Sequence, residues 1–247
     1  MIGAEERGRL RAFRRVVTAR AARLEAVFTA KPPAVERAAF AFISKRGVGR
    51  NRALAALKRA IPARYEAVWG DAVIWSSLAV GDAIIKNPKD PGQAQPSVAV
   101  GYVVLLGKRG RSIQFDSGLW TLEIPDHALV RLFQRRRTAN PCDTIWAAHA
   151  AIMAAAAPSE RAPGPEETLL VPTPGGAFAV NLIIGRDATT DDPLVYFRAR
   201  TWLSDDMLGE GQVPLVPGLP SLGDTLLVPR PLRTMTMADG KLIVEAG

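Results

Sequence analysis

The chain has 247 residues, is 48% hydrophobic and carries 32 Lys/Arg against 24 Asp/Glu, for a formal charge of +8. This composition supports a packed core and excludes a disordered chain, and a single cysteine excludes an intrachain disulfide framework. No charge-free apolar run reaches the roughly 18 residues of a membrane span, so a soluble, cytoplasmic protein with no membrane partner is expected.

The opening stretch lacks the apolar segment of a secretory signal, and Glu5 and Glu6 weigh against a transit peptide. Residues 4–30 predict one amphipathic helix, with Leu10, Phe13, Val17, Leu24, Val27 and Phe28 on a stripe and Arg7, Arg11, Arg14, Arg15 and Arg23 around it. Lys31-Pro32-Pro33 interrupts that helix, and Pro33 suits the first turn of the next. The second helix is expected to stop near "KRGVGRN", where Gly47 and Gly49 permit a tight turn. A third runs from about Arg52 to Ile61, before Pro62. Residues 1–64 hold sixteen Lys/Arg and four Asp/Glu, residues 65–159 nine and eight, and residues 160–247 seven and twelve. The basicity is therefore N-terminal, as on a surface that meets nucleic acid or an acidic protein. Arg50, Arg52, Lys58 and Arg59 are the expected nucleic-acid contacts. Helix, glycine turn and basic helix resemble a helix-turn-helix, although any basic helical hairpin has the same order.

Past Trp69 the pattern becomes β-like. "DAVIWSSLAVGDAIIK", "SVAVGYVVLLG", "RSIQFDSG" and "LWTLEI" predict strands, separated by the loop "NPKDPGQAQP" and by turns at "GKRGR" and "DSG". "IPDHALVRLFQRRR" predicts a helix capped by Asp126, and "NPCDTIWAAHAAIMAAAA" a second capped by Asp143. "SERAPGPEE" is a loop, "TLLVPTPGGAFAVNLIIG" a hairpin and "PLVYFRARTWL" a strand. The fold expected is α+β: a basic helical region over 1–70, then an α+β domain over 71–210. In that domain a mostly antiparallel sheet carries helices on one face, and a Pro-rich wrapping segment follows over 211–247.

On the helix after Pro125, residues His127, Arg131 and Arg135 share one face and Leu129, Leu132 and Phe133 the other, at about 100° per residue. An imidazole beside two guanidiniums suits phosphodiester chemistry. The histidine can move a proton, and the arginines can grip phosphate and stabilise a pentacoordinate transition state. On the last long strand, period two places Tyr196, Arg198, Arg200 and Trp202 on one face, with Asn181 of the preceding strand beside them. Arginines interleaved with aromatics can hold phosphates and stack bases.

Other constellations are weaker. His149, within the stripe Ile145, Trp146, Ile152 and Met153, reads as a buried core residue. Cys142 lies seven residues earlier, about 10 Å of helix rise away and too far for a Cys–His pair. No zinc or calcium ligand spacing, phosphate loop or dinucleotide fingerprint occurs, so neither metal nor cofactor is expected.

The run "HALVRLFQR" (127–135), followed by "TLLVPTPGGAFAVNLIIG" and "LVYFRARTWL", resembles the toxin ribonucleases of the barnase–EndoU–colicin–RelE group over residues 124–203. That resemblance implies a metal-independent RNA-cleaving fold and leaves the N-terminal region unexplained. The leading expectation is a metal-independent ribonuclease, a bacterial toxin or defence effector. His127 would be the acid or base, Arg131 and Arg135 phosphate clamps, and Arg198, Arg200, Tyr196, Trp202 and Asn181 substrate contacts. Expected partners are nucleic acid, RNA ahead of DNA, and an inhibitory protein. The alternatives are a non-enzymatic nucleic-acid-binding protein working through the basic helices, and a structural or partner-binding protein.

Overall fold

Three helices open the chain: α1 (Ala4–Ala30), α2 (Pro32–Ser44) and α3 (Gly47–Ala60). Strands β1 (Arg64–Trp69), β2 (Ala72–Asp82), β3 (Ile85–Lys86), β4 (Pro96–Arg109) and β5 (Ser112–Pro125) follow, and then helices α4 (Asp126–Arg136) and α5 (Cys142–Ala155). Strands β6 (Thr168–Thr173), β7 (Gly176–Asp187) and β8 (Pro193–Ser204) lead to a 3-10 turn at Asp205–Met207, and β9 (Arg233–Ala238) and β10 (Lys241–Ala246) come last. This is a computed structural model that describes residues 3–30, 32–61, 63–69, 72–82, 85–86, 96–109, 112–137, 140–155, 168–187, 193–208, 233–238 and 241–246. The expected loop "NPKDPGQAQP" except its last residue, the expected loop "SERAPGPEE", residues 110–111 of the "GKRGR" turn and residues 211–232 of the Pro-rich segment lie outside the described residues.

The class is α+β, as expected. Pairing is antiparallel between β1 and β2, β3 and β7, β6 and β7, β7 and β8, β5 and β9, and β9 and β10, while β5 runs parallel to β8. Among the described residues no helix is long and apolar enough to cross a membrane.

The chain divides into two compact units of discontinuous segments. The first comprises Met1–Val16, Ala79–Val100 and Leu119–Val228, and the second Val17–Leu78, Gly101–Gly118 and Pro229–Gly247.

In the second unit, Val35, Ala39 and Phe42 of α2 and Ala53 and Leu57 of α3 pack with Ile61, Val73 and Trp75 and with Leu105 of β4. Leu24 and Val27 of α1 lie against that cluster. The third helix begins at Gly47, about five residues before the expected start, so most of "KRGVGRN" is helical and only Lys45 and Arg46 connect α2 to α3. The stretches "RSIQFDSG" and "LWTLEI", expected as two strands, form the single strand β5; "DSG" does not turn there.

In the first unit, the expected order of helix, helix, hairpin and strand over 124–203 is present. Leu129, Leu132 and Phe133 are buried on α4, as are Phe178, Val180 and Leu182 on β7. The β6–β7 hairpin turns through Pro174-Gly175, with Thr173 opposite Gly176. Proline fixes a negative φ at the first turn position and Gly175 takes φ +80° at the second, a type II turn. Asp126 is the first residue of α4 rather than its cap; Pro125 stands at the cap and makes no side-chain capping bond. At the head of α5 the capping oxygen comes from Asn140, whose Oδ1 accepts from the Cys142 N–H at 3.1 Å, and not from Asp143.

Candidate functional site

The site is built where α4 lies along β8 within the first unit. Two residues of the expected catalytic face reach the strand. His127 Nε2 donates to the Arg200 carbonyl at 2.9 Å, and an Arg135 Nη1–H donates to the Trp202 carbonyl. A carbonyl can only accept, so the proton of the neutral His127 ring sits on Nε2, and Nδ1 is the basic nitrogen. Arg131, one turn on, is exposed and its Nη1 donates to Gln134 Oε1 at 3.2 Å. Partial burial first, and then the charge of Arg131, pull the Arg135 guanidinium below its ordinary pKa, and Asp206 opposes them. His127 and Arg131 thus remain at the surface, while Arg135 satisfies a strand carbonyl.

The first half of α1 runs beside α4 in the opposite direction. Glu6 meets Gln134 at 3.4 Å, the Phe13 ring meets Phe133 edge-on at 6.4 Å, and Arg14 Nη2 lies 3.0 Å from an Asp126 carboxylate oxygen. One salt bridge therefore gives Asp126 a tertiary role in place of the expected cap.

Strand β8 departs from simple alternation. Val180 faces Ala199 and Ala179 faces Thr201, leaving Arg200 as an extra residue, a β-bulge. The bulge shifts parity. Phe197 and Ala199, opposite Leu182 and Val180, share their face with Trp202, which stands opposite Phe178. Tyr196 and Arg198 point the other way. The single face expected for Tyr196, Arg198, Arg200 and Trp202 is therefore not formed. Trp202 is buried with its indole Nε1–H on Thr173 Oγ1 at 3.0 Å, and Tyr196 is buried on the opposite side. Neither ring presents a face to a base. Arg200 is exposed at the bulge.

On the Tyr196 side, three strands align a polar row. Arg198 stands opposite Asn181 of β7, as expected, and also opposite Glu123 of the parallel strand β5. Glu123 is 3% exposed, and its Oε2 lies 3.5 Å from Arg198 Nε. Burial first, and then the Glu123 charge, hold the Tyr196 phenol well above its ordinary pKa, with Arg198 opposing. Glu123 was not foreseen as a site residue. Its signal was a lone carboxylate inside the apolar run "LWTLEI", where a buried charge requires a partner.

His149 is fully buried and packs edge-on against Trp146 at 5.8 Å between ring centroids, as a core residue should. In the second unit Arg50 is drawn inward, its guanidinium 4.2 Å from the centre of the Phe42 ring, a cation–π contact that ties α3 to α2. Arg52, Lys58 and Arg59 are exposed.

No family model, curated protein or solved structure matches this chain.

Proposed function

We propose that this protein binds nucleic acid through the charge of its N-terminal helices. The supporting observation is that α3 carries solvent-exposed cations. Arg52, Lys58 and Arg59 on α3 are all exposed, and residues 1–64 hold sixteen basic and four acidic residues. Such a surface displaces counterions from a phosphate backbone, which drives association without any sequence reading. Fluorescence anisotropy of labelled RNA and DNA oligonucleotides with the full-length chain at low salt tests this reading. Saturable binding is expected; a flat titration with every oligonucleotide contradicts it.

A second reading, the metal-independent ribonuclease, is favoured by one observation: His127 and Arg131 sit one turn apart on an exposed helix face, with the proton of the neutral imidazole held on Nε2. Nδ1 would accept the proton of an RNA 2′-OH as that oxygen attacks the adjacent phosphorus, the P–O5′ bond would break to leave a 2′,3′-cyclic phosphate with the departing 5′-oxygen taking a proton from water, and Arg131 would stabilise the charge that builds on the phosphate. Arg135 and Arg198 already serve the Trp202 carbonyl and Glu123, leaving this reading fewer phosphate clamps than expected. RNA cleavage that survives EDTA and is lost in His127→Ala supports it, and intact RNA in both lanes sinks it. The expected preference for RNA and an inhibitory partner belong to this second reading.

A further inference from the structure

The exposed face of α3 has a particular shape. Ala53 and Leu57 are buried, whereas Val48, Asn51, Arg52, Ala55, Lys58 and Arg59 are exposed and share an arc of roughly 120°. Along the middle of that arc lie the smaller side chains Val48, Asn51 and Ala55. Arg52 and Arg59 flank them on one side and Lys58 on the other. From Val48 to Arg59 the face is about 17 Å long at 1.5 Å per residue.

Three kinds of nucleic acid would meet this face differently. A single strand is held by stacking its bases on aromatic rings between cations, and α3 contains no aromatic residue. Duplex RNA has a deep, narrow major groove that a helix cannot enter. The major groove of B-form DNA is about 12 Å wide, close to the 10–12 Å diameter of a helix with its side chains, and a crest of small residues makes the helix narrower still. Cations flanking the crest would then meet the phosphates on the groove's two walls.

Resting on the binding reading above, we infer that the exposed face of α3 enters the major groove of double-stranded DNA. Arg52, Lys58 and Arg59 contact the flanking phosphates and Asn51 faces the base edges. The short Lys45–Arg46 connection and the Arg50–Phe42 contact hold α3 to α2, which gives the helix a fixed support.

The test compares four full-length proteins against 20-base-pair duplex DNA, duplex RNA and single-stranded DNA of one sequence. These are the wild type, Arg52→Glu/Arg59→Glu, the charge-matched α1 control Arg20→Glu/Arg23→Glu, and Ala55→Trp, which keeps every charge but widens the crest. Circular dichroism checks that each variant keeps its helices. Duplex DNA is expected to bind tightest. The α3 charge reversal should weaken it by about tenfold or more and lower the salt slope by roughly two. The α1 reversal should cost much less, and Ala55→Trp should weaken duplex DNA alone. Equal losses from the two reversals, an Ala55→Trp variant that binds normally, or tighter binding of either other nucleic acid overturns this assignment while leaving the binding reading intact. Absence of wild-type binding to all three overturns both.

Discussion

His127 donates its Nε2 proton to the carbonyl of Arg200, the residue that β8 bulges out of its register with β7. Just over two turns further along α4, Arg135 does the same for the Trp202 carbonyl. The helix face that reads as catalytic in the sequence thus also completes the hydrogen bonding of a strand.

That relationship predicts a stability cost for each side chain. Arg135→Ala removes the charged donor to the partly buried Trp202 carbonyl, leaving it the longer 3.5 Å bond from Thr201 Oγ1, and should cost about 1–3 kcal/mol. His127→Ala, at an exposed position, should cost about 1 kcal/mol or less. Thermal denaturation reads both, since each kcal/mol corresponds to roughly 2–4 °C in a chain of this size. Equal midpoints for Arg135→Ala and the wild type would show that the carbonyl is satisfied some other way.

The Glu123–Arg198 pair predicts a non-additive cycle. Arg198→Leu strands a carboxylate that is 3% exposed and should destabilise by roughly 3–5 kcal/mol. Glu123→Leu should cost less, because the Arg198 side chain is 22% exposed and can turn toward water. The double replacement should recover most of the loss, since an apolar pair of similar size can stand in for buried charges. Additive losses in denaturant titrations would mean that the two groups act independently.

Tyr196 predicts a weakness at high pH. Its phenol pKa is raised in the folded protein, so the folded state keeps its proton where the unfolded chain releases it near the ordinary value of 10. The contribution of Tyr196 is fully present below that pH and falls as pH rises above it. Tyr196→Phe should flatten this part of the stability–pH curve between about pH 10 and 12. Parallel curves for the two proteins would refute the assignment.

Much of this architecture was legible in the sequence because helical periodicity is a local signal. The span of α1, the buried Leu129, Leu132 and Phe133, and the core position of His149 all follow from spacing within a few turns. The Thr173-Pro174-Gly175-Gly176 hairpin was equally local. What escaped depends on partners far apart in the chain. Nothing in "YFRARTW" marks Arg200 as a bulge, and that one extra residue moved Trp202 to the opposite face. Glu123 could be paired with Arg198 only by knowing that β5 runs parallel to β8. Asp126 looks like a cap in the sequence because the Arg14 that binds it lies more than a hundred residues earlier. Gly47 takes a left-handed φ of +54° at the turn where the sequence expects one, but the helix continues through Gly49.

Gly176 predicts a single-residue requirement at the hairpin. A Cβ there would collide with the Leu203 carbonyl oxygen and the Trp202 ring, so Gly176→Ala should destabilise by more than about 2 kcal/mol. The Trp202 fluorescence should shift as its bond to Thr173 is disturbed. A variant with normal stability and emission would show that the hairpin can yield.

The measurement that bears most directly on the central claim is a salt titration of nucleic-acid affinity for the full-length protein, followed by anisotropy. If the exposed cations of the N-terminal helices carry binding, the logarithm of the association constant should fall linearly with the logarithm of salt concentration. The slope should be about −3 or steeper, one unit for each phosphate neutralised. An affinity that does not change with salt, or no binding even at the lowest salt, would contradict the claim.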